Sequence, residues 1–170
     1  MELRAPVDVY LDTDVVVNCL IEDLRHSQAC LQAMEHLGYS GSTVWISQLL
    51  RVEYLQAVRS IATQGRAPSQ LSKTFDLDNW VDSRVRETWL RHCWELLDEY
   101  IGILPSVVEL PITRNEIDRA PYLMARFALR SQDALHLATA LHYDIPVFWT
   151  CDDHFQRVDH LSVEVIRNPA

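Results

Sequence analysis

Short apolar runs alternate along this chain with longer stretches in which apolar residues recur at helical spacing. The apolar runs predict five strands, at residues 7–11, 44–46, 107–110, 147–149 and 163–166. Because helical stretches separate the strands, the pattern predicts an α/β protein with a mostly parallel central sheet covered by helices on both faces, a three-layer α/β/α arrangement. In such a sheet, functional groups gather beyond the carboxyl ends of the strands.

Capping residues and glycines set the expected limits of the helices. Asp12, Thr13 or Asp14 can cap a first helix, which could be broken near residues 22–26 and would end where Gly38 and Gly41 mark a turn. Helical spacing resumes at residue 84, and a short helical turn should follow the fourth strand. Three further helices have candidate caps: Ser47, Thr113 and Ser131.

Residues 65–83 interrupt the helical pattern with Gly, Pro, Ser and Asp. Loops of this length are uncommon without a function, so we predict a long connection or flap inserted within a single domain that spans residues 1–170. Trp80 lies in this polar segment, where packing, stacking on a nucleic-acid base and contact with a partner protein are all open.

The charge balance narrows the class of function. The 170 residues include 24 acidic and 15 basic side chains, and the formal charge of −9 excludes a polybasic nucleic-acid binder of the histone type but not local arginine patches. Lys73 is the only lysine. A hydrophobic content of 48% excludes a disordered chain.

The expected compartment is the cytoplasm. Residues 1–8 lack the basic start and the apolar stretch of a secretory signal, and no apolar run approaches the roughly 20 residues of a membrane helix. The four cysteines lack Cys-x-x-Cys spacing, so the sequence indicates neither a disulfide framework nor a zinc site. Reduced thiols are therefore expected.

Three carboxylates stand next to or within apolar segments. Asp12 and Asp152 each follow an apolar strand, and for either one alone a helix N-cap is the simplest interpretation. Asp133 projects between Leu137 and Ala140 on a helical wheel, inside the apolar face of its helix. The helix dipole favours an acid in the first turn but does not explain this inward direction, and a buried carboxylate is costly unless it is paired.

A fourth acid, Glu53, lies in the middle of its helix at the border of the apolar stripe. An ion pair with Arg126 or Arg130 is its ordinary explanation. Together, however, the four acids could face one cleft, where they would repel one another strongly at neutral pH. Hard divalent cations would relieve that repulsion, and oxygen ligands suit Mg²⁺ or Mn²⁺ rather than zinc. Such ions activate water for displacement at phosphorus, which makes phosphodiester hydrolysis the chemical hypothesis.

Four segments that carry these acids resemble, in order, the acidic motifs of PIN-domain ribonucleases, and most closely those of VapC-type toxins from bacterial toxin–antitoxin pairs. The segments are LDTDVVVNCL, ISQLLRVEYLQAV, SQDALHLATAL and FWTCDDHF. The resemblance runs from Val9 to Ile166, with residues 65–83 as an extra insertion. The third and fourth motifs are the more specific, whereas the first two are short.

By this resemblance, Asp12, Glu53, Asp133 and Asp152 correspond to the metal-binding acids of the family, and Thr150 corresponds to the hydroxyl that supports the last of them. The resemblance implies a PIN-like α/β/α fold and an endonuclease that uses one or two Mg²⁺ or Mn²⁺ ions to cleave RNA and leave a 5′-phosphate. It also implies a homodimer and a small antitoxin protein that holds the enzyme inactive.

Two extra acids depart from the family pattern. Asp14 stands where relatives usually carry Ser or Asn, and it could change metal affinity or cap the helix, capping being the safer assumption. Asp153 competes with Asp152 for the fourth position, and the spacing within the motif favours Asp152.

Histidines and arginines supply further candidates. His136 follows Asp133 by one helical turn and could support that carboxylate or be a structural histidine, while His154 has no partner at metal-ligand spacing in the sequence and is expected at the surface. Many arginines fall on predicted helices, where guanidinium groups could grip phosphate oxygens, but the sequence does not indicate which of them line a cleft.

Two alternative functions are open. In a phosphatase of the haloacid-dehalogenase type, Asp12 and Asp14 would be the nucleophile and general acid, and Asp152 with Asp153 a late metal-binding pair. That chemistry usually needs a lysine beside the phosphate, and Lys73 lies in the polar connection instead. A non-catalytic PIN-like scaffold is the other alternative, although it would usually have lost one or more of the four motif acids.

Overall fold

The computed structural model describes residues 6–21, 24–64 and 81–168. None of the helices described is both long and apolar enough to cross a lipid bilayer. Most of the predicted connection at 65–83, including Lys73 and Trp80, lies outside the described residues, so its form stays a prediction. The elements in chain order are β1 (Val9–Leu11), α1 (Thr13–Leu20), α2 (Ser27–Ser40), β2 (Val44–Ser47), α3 (Gln48–Thr63), α4 (Ser83–Ile103), β3 (Val107–Leu110), α5 (Arg114–Phe127), α6 (Ser131–His142), β4 (Val147–Thr150), a 3₁₀ helix (Asp153–Arg157) and β5 (Ser162–Val165).

The five strands described form one sheet in the order β3-β2-β1-β4-β5, and every pairing is parallel. Tyr10 in the central strand is in register with Trp45 of β2 and Phe148 of β4. The prediction of a mostly parallel sheet is confirmed. Since β1 and β4 are neighbours, the residues that follow them lie at the same edge of the sheet.

Alternation along the strands divides the core into two layers. Val9 and Leu11 pack into a cluster with buried residues of α1, α2, α3 and α4 on one face of the sheet. Tyr10 and Phe148 point to the opposite face, where they join residues of α5 and α6. The Tyr10 and Phe148 rings stack with centroids 5.2 Å apart, and Phe155 of the 3₁₀ helix extends the stack. The three-layer α/β/α architecture is therefore confirmed.

The helix limits differ in places from the expected ones. A break separates α1 from α2, as the sequence allowed, but α2 continues through Gly38 and ends at Ser40. The prediction that Gly38 marks a turn is wrong, because burial of neighbouring Leu37 holds the helix together over an unfavourable residue. Gly41 does end the helix, with a left-handed φ of 72° that glycine adopts without strain.

The caps agree with the sequence only in part. Asp12 caps α1, since its Oδ1 accepts a hydrogen bond from the backbone N–H of Thr13 at 2.8 Å. Ser47 precedes α3, but its hydroxyl makes no capping hydrogen bond and lies 3.5 Å from Nδ1 of His136 instead. Ser131 is the first residue of α6 rather than its cap. The predicted position of Ser47 at the N-cap is therefore confirmed without a capping bond, and the predicted cap at Ser131 is wrong.

A buried acid anchors the packing of α5 against α6. Glu116 is almost fully buried, and it accepts hydrogen bonds from the backbone N–H and the hydroxyl of Thr113, both at 2.6 Å. Nδ1 of His142, in α6, is hydrogen-bonded to the other carboxylate oxygen of Glu116. Burial alone would raise the pKa of Glu116, but the bonds with His142 and Thr113 outweigh it and lower the pKa to about 2.

This depressed pKa predicts a pH-dependent contribution to stability. The pKa of Glu116 is lower in the folded than in the unfolded chain, so the stabilisation is complete above pH ~5 and disappears as the pH falls toward ~2. Glu116→Gln should lower the unfolding free energy at pH 7 by up to about 3 kcal/mol, and its deficit should shrink in acid. Urea unfolding across this pH range measures the difference. Glu95→Gln, at an exposed site on α4, is the control; a Glu116→Gln deficit that does not change with pH would contradict the prediction.

Candidate active site

An open cleft of about 360 Å³ lies at the carboxyl ends of β1 and β4. The structure brings all four of the carboxylates singled out in the sequence to this one cleft. Asp12 follows β1, Glu53 comes from α3, Asp133 from the first turn of α6, and Asp152 follows β4. The remaining residues of its lining are Thr13, Asp14, Val17, Gln56, Ala57, Ser60, Arg130 and Gln132.

Asp12 is the most deeply buried of the four acids, with 6% of its surface exposed. Its Oδ1 caps α1, and its Oδ2 accepts a hydrogen bond from the hydroxyl of Thr150 at 2.8 Å. Burial raises the pKa of Asp12, although the positive charge of His136 and the bond from Thr150 oppose that shift. The ionised form is therefore unfavourable without a nearby cation.

Glu53 is held by two hydrogen bonds rather than by an arginine. The hydroxyl of Thr13 donates to its Oε2 at 2.5 Å, and Nε2 of His136 lies 2.6 Å from the same oxygen. Burial alone would raise the pKa of Glu53, but these bonds and the charge of His136 outweigh it and lower the pKa. Since Arg126 pairs with Asp159, and Arg130 turns toward other acids, the predicted arginine ion pair is wrong.

His136 connects the cleft to the core of the protein. It is 1% exposed, and its Nδ1 lies 2.8 Å from the hydroxyl of Tyr10. Nε2 of the protonated ring donates to Glu53, and Nδ1 stays bonded to Tyr10 in either protonation state, because a hydroxyl can donate or accept. Burial alone would lower the pKa of His136, but the bond to Glu53 and the charge of Asp12 raise it. Of the two roles left open for His136, support of Asp133 is wrong, because the ring bonds Glu53 of α3 instead, whereas its burial agrees with the structural role.

Arg130 bridges the other two acids. Its Nε lies 3.2 Å from Asp133 Oδ2, and a terminal nitrogen lies 3.3 Å from Asp152 Oδ2, while most of the arginine side chain is exposed. His154 binds Oδ1 of Asp152 through its backbone N–H at 2.9 Å and through Nδ1 at 2.6 Å. Burial alone would raise the pKa of Asp152, but the bonds with His154 lower it. His154 is at the surface as expected, and its contact with Asp152 is one that the sequence did not indicate.

Thr150 links the first and fourth acids. Its side chain is fully buried, and its hydroxyl donates to Asp12 while accepting a hydrogen bond from the backbone N–H of Asp152 at 3.0 Å. This one side chain therefore fixes the position of Asp12 relative to the segment that carries Asp152.

The two extra acids have different surroundings. The assumption that Asp14 caps α1 is wrong. Both of its carboxylate oxygens lie 3.0 Å from the backbone nitrogen of Cys151, whose N–H donates to them. Burial raises the pKa of Asp14 well above its usual range. Asp153 forms an ion pair with Arg167 and is not part of the cleft lining. These positions favour Asp152 over Asp153 as the fourth acid of the cleft.

The donor set fits a hard divalent cation. One oxygen each from Asp12 and Glu53 and Nε2 of His136 all lie within 4.8 Å of one another. The two carboxylates face the cleft, whereas His136 is buried and already bonded to Glu53, so the oxygens are the accessible ligands. Arg130 offsets charge on Asp133 and Asp152, and His136 offsets charge on Glu53, whereas the burial of Asp12 makes its ionised form costly without a cation.

Comparison with known sequences assigns this arrangement to a family. The sequence profile of the PIN domain matches residues 9–161, which include all four acids and both flanking core layers. The chain belongs to the PIN-domain family. This assignment removes the haloacid-dehalogenase alternative, which was already weakened by the solitary lysine. A search of curated proteins gives no significant match.

Solved structures share the fold of this PIN domain. The VapBC2 complex of Rickettsia felis, crystallised with a DNA fragment from its promoter, matches with a TM-score of 0.59 and 14% identity over 94% of this chain and 98% of that chain. A toxin–antitoxin complex from Klebsiella pneumoniae matches with a TM-score of 0.57 and 15% identity over 95% of this chain and 100% of that chain. The sarcin–ricin loop cleaving toxin VapC20 of Mycobacterium tuberculosis matches with a TM-score of 0.53 and 12% identity over 88% of this chain and 93% of that chain. At these identities the likeness establishes the fold.

Sequence reasoning missed several contacts of this PIN domain, among them those of Thr13 and Arg130. Thr13 was considered only as a cap, yet it binds Glu53. Arg130 was considered as a partner for Glu53 and instead joins Asp133 to Asp152. The spacing of Arg130 three residues before Asp133 could have indicated that pair, because residues three apart are neighbours on a helix.

Proposed function

We propose that this PIN domain is a divalent-metal-dependent endoribonuclease, acting as the toxin of a toxin–antitoxin pair. The observation that carries the proposal is the convergence of Asp12, Glu53, Asp133 and Asp152 on one open cleft. Four carboxylates that line a cleft are unfavourable for stability alone, which favours a functional reason for their proximity.

The residues of this cleft would have three different roles in the reaction. A divalent cation held by the carboxylates would stabilise charge at the scissile phosphate and lower the pKa of an attacking water. Thr150 and Thr13 hold Asp12 and Glu53 in fixed positions, so that their oxygens need little reorganisation to act as ligands. Arg130, exposed at the rim, is suited to exchange a carboxylate for a phosphate oxygen when RNA arrives.

A second groove brings two arginines next to the cleft. It has a volume of about 380 Å³ and shares Asp14 and Asp152 with the cleft, and its lining combines basic or titratable side chains (Arg25, His26, His154 and Arg167) with Cys151 and a third acid, Asp153, which pairs with Arg167. Both arginines are exposed. We expect the two arginines of this groove, here called the cationic groove after them, to hold the phosphates next to the cleaved bond, with phosphate replacing Asp153 as the partner of Arg167.

The cationic groove predicts the salt dependence of RNA binding. Replacing Arg25 and Arg167 with alanine should weaken binding of a single-stranded RNA and lower the slope of log affinity against log salt by about one to two. Fluorescence anisotropy in the Asp133→Asn background measures binding without cleavage. Arg114→Ala is the control, because Arg114 is exposed and pairs with Asp118 on α5. An unchanged slope in the double variant would contradict the prediction.

The partners of the enzyme are also proposed. The structural relatives from Rickettsia felis and Klebsiella pneumoniae are toxin–antitoxin complexes, and the shared fold supports a small antitoxin for this chain. A homodimer and a cytoplasmic location belong to the same proposal. Co-expression with the product of a neighbouring short reading frame, followed by co-purification, tests the antitoxin.

The central experiment is an RNA-cleavage assay with Mg²⁺ or Mn²⁺. Wild-type protein should produce fragments with 5′-phosphates, and Asp133→Asn should reduce cleavage by about 10²-fold or more. Asp118→Asn, an exposed acid on α5, should cleave like wild type. Cleavage that persists in excess EDTA, or that is equal in wild type and Asp133→Asn, would contradict the mechanism. A folded protein that cleaves no RNA would favour the non-catalytic scaffold.

A further inference from the structure

Two cysteines from distant parts of the chain are in contact beside the cleft. The sulfur of Cys30, in the first turn of α2, lies 3.4 Å from the sulfur of Cys151, which follows β4. The two residues are 121 positions apart in sequence. Neither the spacing of the cysteines nor the motifs of the family indicates this pair.

The two thiols differ in their access to solvent. Cys30 is fully buried, whereas Cys151 is half-buried and lines the cationic groove next to Asp152. A small reagent that enters the groove therefore reaches Cys151 first. The buried thiol then lies within direct reach of the modified sulfur, as the second cysteine of a redox pair must.

We propose that Cys151 and Cys30 form an oxidative modification site, in which hydrogen peroxide converts the two thiols into an intramolecular disulfide. In the first step a bond forms between Cys151 sulfur and one peroxide oxygen, the O–O bond breaks, and water leaves, which gives a sulfenic acid. In the second step Cys30 sulfur attacks Cys151 sulfur, the S–O bond breaks, and a second water leaves. Two thiols are thus oxidised by two electrons, and one peroxide is reduced to two waters.

The geometry needs only a small movement. A disulfide has an S–S distance of about 2.05 Å, so the sulfurs must approach by about 1.4 Å. Cys19, which is within hydrogen-bonding reach of Cys30, is the competing thiol, but it is buried. Of these three thiols, Cys151 is therefore the one that solvent can reach.

The cross-link would act on the cleft through the backbone. Cys151 donates its N–H to Asp14 and immediately precedes Asp152, so drawing its side chain toward α2 displaces both acids. Displacing groups that orient metal ligands typically lowers affinity or activity by about 10- to 100-fold. This consequence rests on the proposed function, whereas formation of the disulfide does not.

The test begins with the full chain and hydrogen peroxide. After treatment, free thiols are alkylated, the protein is digested, and linked peptides are identified by mass spectrometry. We expect a Cys30–Cys151 peptide that is lost on reduction with dithiothreitol. It should be absent in Cys151→Ser and in Cys30→Ala, and it should form in Cys19→Ala and in Cys93→Ala, which removes a buried thiol of α4.

Three results would overturn the proposal: both thiols remaining open to alkylation after peroxide, a Cys19–Cys30 link in place of the expected one, or a link only between two molecules. In parallel, RNA cleavage by oxidised wild type should fall about 10-fold or more and recover on reduction, while Cys30→Ala should keep its activity in peroxide. If no preparation cleaves RNA, the proposed function fails, and the peptide analysis still decides the modification site.

Discussion

Asp12→Asn is expected to lower RNA cleavage by about 10³-fold or more while leaving the protein at least as stable as wild type. The activity should fall because Asp12 is the most deeply buried of the four proposed ligands, and charge stabilisation by a bound cation contributes several kcal/mol to catalysis at about 1.4 kcal/mol per tenfold change. An asparagine at this position keeps one acceptor but loses the negative charge that attracts a divalent cation.

The stability of the same variant follows from the burial of Asp12. Burial raises the pKa of this carboxyl, so its ionised form is held in the folded chain at a free-energy cost. Asparagine can still accept from the backbone N–H of Thr13 through its oxygen, and its amide can donate to the hydroxyl of Thr150. The melting temperature without metal should therefore be unchanged or higher, and addition of Mn²⁺ should raise it for wild type but much less for Asp12→Asn.

Measurement of kcat/KM and of melting curves with and without Mn²⁺ checks both halves of this prediction. Asp118→Asn should match wild type in each. Cleavage at the wild-type rate would exclude Asp12 from the active site. A loss of activity accompanied by a lower melting temperature would contradict the stability argument, because it would make Asp12 a structural residue.

His136→Ala is the second change with a large expected effect, and it should act on stability first. The ring is buried between Tyr10 and Glu53, so its removal leaves a hydroxyl and a carboxylate without their partner and opens a cavity. We expect the unfolding free energy to fall by about 3 kcal/mol and the melting temperature to fall by about 6–12 °C. His160→Ala removes an exposed histidine and should change neither.

A second measurement separates positioning of Glu53 from simple packing. If His136 holds Glu53 in place, the affinity for Mn²⁺ in His136→Ala should fall about 10- to 100-fold at a temperature where the variant is folded. His136→Gln, whose amide can donate to the carboxylate, should recover part of that affinity. Unchanged Mn²⁺ affinity in folded His136→Ala would show that the histidine serves the core alone.

The positions of the four acids could be predicted because they follow from periodicity and topology. Strands separated by helices give a parallel sheet, and the ends of adjacent parallel strands meet, which brings Asp12 and Asp152 together. The helical wheel gave the direction of Asp133 for the same kind of reason. These arguments depend on backbone geometry, which short-range patterns record well.

The partners of the acids could not be predicted in the same way. Glu53 and His136 are 83 residues apart, and their contact depends on how α3 and α6 pack across the sheet edge and on the side-chain conformers that result. The sequence therefore offered only an arginine ion pair as the ordinary explanation of Glu53. Asp14 was assigned to a cap for a similar local reason, whereas Cys151 from the other end of the chain binds it.

The strand order also has a consequence during protein synthesis. Among the five strands described, the central strand β1 is made before its neighbour β4, and Asp152 follows β4. A nascent chain therefore carries Asp12 without Thr150 to hold it until β4 has been made. Under the proposed function, such a chain would be catalytically inactive until Thr150 and Asp152 had been added, so unfinished copies of a harmful nuclease would spare the RNA of the ribosome that makes them.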